Sequence, residues 1–344
     1  MRCSIVTCRR LASARSRACL ALSSSEVVIR VSPSGNLAGI EVGTFGRCLV
    51  STEGSRMELK AYDRFELAVD AVVDGDLVGL NAILREHPEL VRMRSSGVTE
   101  FDATPHRATL LHYVAANGVE AYRQKTPPNA VAVAQALLEA GAEVDALADL
   151  YGGECTTMSL LVSSCHPAEA GLQVALVDLL VDFGGSVEAV GRGNWTSPLL
   201  TALVFGYREA AEALIRRGAR VERLAMAAGM GMVEEILLLL GSADAKGRHR
   251  ALALAAQLGQ ESMVRLLIGA GEDVNRCKPE GMHAHSTPLH QAVGAGQFGM
   301  VRLLVERGAR MDIQDLIDQG TALGWTEHCG KLETAAYLRE RGAQ

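Results

Sequence analysis

Beyond about residue 63 the chain alternates two kinds of apolar segment. The first is a compact run with little polar relief, such as Leu199-Leu200-Thr201-Ala202-Leu203-Val204, closed soon after by a glycine. The second follows directly and spaces its apolar positions three and four apart, as in Met300-Val301-Arg302-Leu303-Leu304. That spacing predicts amphipathic helices with one buried stripe. The glycine predicts a left-handed helix end, a conformation that a β-carbon resists. Paired short helices are therefore expected along most of the chain. The stretch from Ser32 to Gly54 has no sustained periodicity and reads as loop.

The pairs repeat. Thr287-Pro288-Leu289-His290-Gln291-Ala292 leads through Gly296 to Met300-Val301-Arg302-Leu303-Leu304 and closes with Arg307-Gly308-Ala309. Thr109-Leu110-Leu111-His112 opens a second copy that closes at Gly141-Ala142-Glu143-Val144-Asp145. Further copies open at Ser197-Pro198-Leu199, at Leu252 and at Thr321-Ala322-Leu323, with weaker ones from Leu67, Thr156 and Leu224. Eight units result, starting near 63, 105, 152, 193, 221, 246, 281 and 315. The pattern resembles the ankyrin repeat, T-P-L-H-x-A-A-x-x-G followed by V-x-x-L-L-x-x-G-A, with three sub-motifs at matching offsets. The resemblance implies an all-α, ankyrin-type solenoid of about eight helix–turn–helix repeats with short β-turn fingers over residues 57–344. It also implies a protein-binding module whose fingers and inner helices form a concave surface.

Each sub-motif has a physical reading. Thr at a helix start caps exposed N–H groups, and Pro just inside loses a donor that would be an orphan anyway. His112 and His290 are expected to bond within and between neighbouring units, as structural residues. No unit can bury its apolar face alone, so stability comes from stacking.

Departures from the period of about 33 residues mark where function is expected. Taken from the Thr-equivalent positions, the intervals are 43, 47 and 41 residues, then 25 and 28, then 37 and 34. The long early intervals hold insertions at 118–130 and 165–172. In the first, Tyr122, Arg123 and Lys125 form a basic-aromatic group, and Asn129 is placed to cap the next helix. Tyr151 and Trp195 fall on fingertips, as does His283. Tyr113, Thr201, Gln291 and Trp325 share one slot of the first helix and are expected to point into the groove. These ten residues are the candidate partner-binding set, since aromatic and Arg side chains on loops commonly anchor interfaces. The short intervals around 218–250 leave little room for fingers, and the finger side there is expected to be smooth. Met226 and Met232 read as core filling.

Catalysis finds no support. Phosphate-binding loops, nucleophile elbows and zinc-protease motifs do not occur. His283-Ala284-His285 beside His290 superficially imitates a metal site but reads as a polar fingertip, so neither metal nor cofactor is expected. Cys155 with His166 lacks an orienting acid. The alternative is a small-molecule or peptide-modifying site in an insertion pocket around Tyr122, Cys165 and His166, with a deep cavity and a perturbed Cys or His.

Composition adjusts this picture in three places. Aromatics are 4% of the 344 residues, so the core is built from Ala, Leu and Val, which suits closely approaching helices. Residues 1–56 carry a net +5 and the remainder −11, a body that repels nucleic-acid backbones. Eight scattered cysteines include no C-x-x-C pair and read as reduced thiols of a cytoplasmic protein. Residues 1–56 are expected to be an unstructured leader. Its first 25 residues hold five Arg and no acid, as a mitochondrial transit peptide does. Glu53-Gly54 requires a purine-rich codon pair ahead of Met57, like a bacterial ribosome-binding site, so a true start at Met57 is the other reading. A monomeric scaffold for an unidentified protein partner, without membrane or nucleic-acid binding, is the function expected.

Overall fold

The computed structural model describes residues 53–344 except 101, 194–195 and 278–285, with side chains from Asp63 onward. Seventeen α-helices are described. The first four are α1 (Glu53–Asp74), α2 (Leu77–Glu86), α3 (Leu110–Val114) and α4 (Ala130–Glu139). A hairpin of β1 (Leu147–Leu150) and β2 (Gly153–Thr156) precedes α5 (Thr157–Leu161), α6 (Cys165–Glu169) and α7 (Gln173–Asp182). Then come α8 (Pro198–Phe205), α9 (Arg208–Arg216), α10 (Leu224–Met230), α11 (Val233–Leu240), α12 (Ala245–Gln257) and α13 (Glu261–Gly269). The last are α14 (Pro288–Gly294), α15 (Phe298–Glu306), α16 (Ala322–His328) and α17 (Leu332–Glu340). The fold is an all-α solenoid of ankyrin type. The helix α1 begins at Glu53, so regular structure starts inside the segment expected to be an unstructured leader.

First helices stack in series, α3 on α5, α5 on α8, and onward through α10, α12, α14 and α16. They are buried on nearly every side: Leu224 to Ala228 are all below 5% exposed, as are Leu110 to Tyr113. Alanine makes this possible, because Ala225, Ala227 and Ala228 of α10 lie against α12, whose own alanines 251, 253, 255 and 256 are fully buried. Burying so much small apolar surface is what a stacked repeat gains over an isolated helical pair.

Thr109, Thr156, Ser197, Thr287 and Thr321 are all helix N-caps, as the repeat pattern predicts. The units that open near 221 and 246 lack such a Ser or Thr cap, with Arg223 and Asp244 at the N-cap positions. Helix α12 starts five residues before Arg250, just after Asp244, whose carboxylate accepts from the Gly247 N–H at 2.6 Å. With no finger loop to interrupt it, this helix extends to 13 residues.

Candidate partner-binding surface

His112 shows how the units are tied together. Its Nδ1 accepts from the Thr109 N–H at 3.2 Å and lies 2.8 Å from Thr109 Oγ1. That leaves Nε2 as the protonated nitrogen, donating to the Cys155 carbonyl in the next finger at 3.4 Å. Burial is the largest influence on this ring and lowers its pKa to about 4, so it is neutral. His290 repeats the arrangement, with Thr287 on Nδ1 and the Gly320 carbonyl 3.1 Å from Nε2. Both histidines are structural, as expected.

Fingers in the first half hydrogen-bond to one another. Asp149 donates its N–H to the His106 carbonyl at 2.8 Å, and Glu154 and Arg192 exchange backbone bonds at 3.1 and 2.8 Å. Gly191 permits this approach: a β-carbon there would lie 1.8 Å from the Glu154 carbonyl oxygen. The row presents apolar tips, with Val98 45%, Tyr151 38% and Val190 56% exposed. Tyr151 takes a left-handed backbone, φ 55°, at the hairpin turn, and its hydroxyl donates to Asn117 Oδ1 at 2.7 Å. In the last finger Leu316 and Ile317 are exposed as well.

Arg123 is not a surface anchor. It is 6% exposed, and its guanidinium holds α1 through Glu66 at 2.5 Å and Asp70 at 2.8 Å, with Glu120 at 3.6 Å. Burial opposes its charge, but Glu66 and Asp70 raise its pKa overall. The rings of Tyr113 and Tyr122 lie 6.0 and 5.2 Å from the guanidinium carbon. Tyr122 is thereby presented on a fixed base while 67% exposed. Lys125 is exposed, 3.4 Å from Asp74. Asn129 does stand at the N-cap of α4, but its side chain donates to the Gly75 carbonyl instead of capping.

The shared slot of the first helix does not face a groove. Tyr113 is fully buried and its hydroxyl donates to Ser95 at 3.2 Å. Thr201 is buried 3.0 Å from the Thr196 hydroxyl, and Gln291 is buried donating to Ser286. Trp325 is half-buried, its indole N–H donating to Asp315 at 2.9 Å and its ring edge-on to His290. In all four the side chain reaches back to the loop before its own helix. The slot fixes the finger base, which is why polar tips are used there. Asp315, missed in the sequence, organises the last finger: its carboxylate also accepts from the N–H groups of Ile317, Asp318 and Gly320. An Asp two to five residues before such donors is the signal that could have found it.

Trp195 and His283 lie outside the described residues. Cys155 is fully buried, and burial pushes its thiol pKa up, which removes it as a nucleophile. Cys155, Cys277 and Cys329 are free thiols, and Cys165 Sγ lies 3.6 Å from His166 Nδ1. Among the described residues no group of three or more His, Cys, Asp or Glu is placed to hold a metal, and no helix is long and apolar enough to cross a membrane.

Residues 224–315 and 252–344 match the family model for ankyrin repeats, and the chain is an ankyrin-repeat protein. Such repeats are in general protein–protein interaction modules. Among solved structures the chain is similar to the human ASB11 ankyrin repeat domain, at 19% identity over 75% of this chain and 90% of that one. The TM-score is 0.37, too low for the superposition to place individual residues.

Proposed function

We propose that this chain binds a partner protein along the fingertip row of its N-terminal half, with Tyr122 as an additional anchor beside it. The observation that carries this reading is the exposure of Val98, Tyr151 and Val190 on fingers that brace one another through backbone hydrogen bonds. Apolar and aromatic tips on rigid supports lose little conformational entropy on binding, so they contribute disproportionately to affinity. The buried first helices contribute rigidity and not contact surface. The protein acts as a non-enzymatic scaffold in this reading.

The test is a crosslinking pull-down with the full chain and with a Tyr122→Ala, Tyr151→Ser, Val190→Ser variant. Arg123 is left intact because its replacement would disturb folding. A partner captured by the native chain and lost by an equally folded variant supports the fingertip placement. Equal capture by both removes it.

A further inference from the structure

The units expected to be smooth instead carry a groove of about 280 Å³ between α8, α10, α11 and α12, left open by short loops at 217–223 and 241–244. Helix α11 stands beside it with a face that the rest of the chain does not cover. Val233, Leu237 and Leu238 fall four and five residues apart, so they share one side of the helix, and all three are exposed. Six residues after its helix-ending glycine, each neighbouring second helix carries a charged side chain: Glu212 in α9, Arg265 in α13 and Arg302 in α15. In α11 that place holds Leu237. The next place is buried as Ala213 in α9 and Leu303 in α15, yet open as Leu238 in α11.

A contiguous apolar patch of a few hundred Å² is about the most that a monomer leaves in water. Gly241 continues the same stripe. Its φ of −68° does not demand glycine, and a β-carbon there would meet nothing within 4 Å. Its smallness therefore serves neither the backbone nor the chain's own packing, and it leaves room for a second helix to approach. The charges at the two ends of the stripe are opposite. Glu234, at the start of α11, is exposed and joins no ion pair among the described residues. Lys246, in the first turn of α12 beyond the other end, is exposed and equally without one. Asp244 beside it is engaged with the Gly247 N–H.

We propose that α11 is a self-association surface, on which a second copy of this chain lays its own α11 antiparallel, leucine stripe on leucine stripe, about a twofold axis near Leu237 and Leu238. A twofold contact needs one patch that complements itself. A stripe with an acid at one end, a cation beyond the other and leucines between them does so. Antiparallel order sets Glu234 of each copy toward Lys246 of the other and opposes the two helix dipoles, whereas parallel order sets acid on acid. The patch is smaller than the ~800 Å² per partner of a standard interface, so the dimer is weak, with a Kd of about 10–100 µM. The dilute chain is then the monomer expected from the sequence, and the concentrated chain is not. These residues are separate from those of the fingertip row.

Sedimentation equilibrium of the full chain from about 5 to 500 µM tests this. The mean mass should rise with concentration from 36.5 kDa toward twice that value. A Leu237→Gln, Leu238→Gln variant replaces only exposed side chains, so it should fold as the native chain does and dimerise at least about tenfold more weakly. Glu234→Lys and Lys246→Glu should each weaken the dimer about threefold or more, and the variant carrying both should return to within about twofold of the native Kd, because the exchange restores both pairs. Far-UV circular dichroism checks that each variant is folded. A constant mass of 36.5 kDa across the range overturns the proposal and leaves the face to a different protein. It is equally overturned by a leucine variant that dimerises as the native chain does, or by a double charge variant no tighter than the single ones.

Discussion

The units before residue 218 and those between 219 and 259 stack their first helices in the same way but finish their loops differently. In the early units each finger is bonded to the next, and the chain between helices becomes a second, polar layer of structure. In the middle units the loops are turns only. There α11 packs chiefly on its own partner α10, and Leu237 and Leu238 are 64% and 80% exposed. Stacking alone therefore builds a solenoid, while loop length decides whether its rim is a row of tips or an open groove.

The largest expected effect lies in the fingered half. Arg123→Met leaves Glu66 and Glu120 without their cation, and breaking a buried pair in this way costs about 3–5 kcal/mol. A urea melt followed by far-UV circular dichroism should show an early transition in the variant. A midpoint within error of the native chain would mean that the insertion is not what secures α1.

Acid should separate the regions next. The folded His112 pKa is about 4, against about 6.5 in the unfolded chain. Between those values the unfolded chain binds more protons, so stability is whole above about pH 6.5 and declines as pH falls toward 4, by about 3 kcal/mol in all. His166 and His249 are shifted downward too, mainly by burial, so they add to the same slope. His112→Asn should be less stable at neutral pH yet flatter between pH 6.5 and 4. An unchanged slope would transfer the acid sensitivity to the other histidines.

The smallest effect sharpens the contrast most directly. Leu238 and Leu303 each stand seven residues after a helix-ending glycine, Gly231 and Gly296. Leu303 is 2% exposed and Leu238 is 80% exposed. Leu303→Ala should cost about 2–3 kcal/mol and Leu238→Ala less than about 0.5. Parallel thermal melts check both, and equal losses would show that α11 is covered in solution.

The helix pairs and their caps at 109, 156, 197, 287 and 321 were legible in the sequence because each depends on residues a few positions apart. The two bridging histidines were legible because the repeat motif marks them, although their partners lie in the next unit. The site was legible only in part. Tyr122 and Tyr151 are exposed as expected, but Tyr113, Thr201 and Gln291 are buried and Arg123 is a clamp. Their slot and spacing were right and their surroundings were not, since Ser95 reaches Tyr113 across 18 residues and Glu66 reaches Arg123 across 57.

Local periodicity, capping chemistry and glycine placement thus determined by themselves that this chain is a stacked helical repeat. Which side chains face solvent was decided by the tertiary structure. Exposure depends on what neighbouring units place over a position, and in a solenoid those neighbours lie a full repeat away.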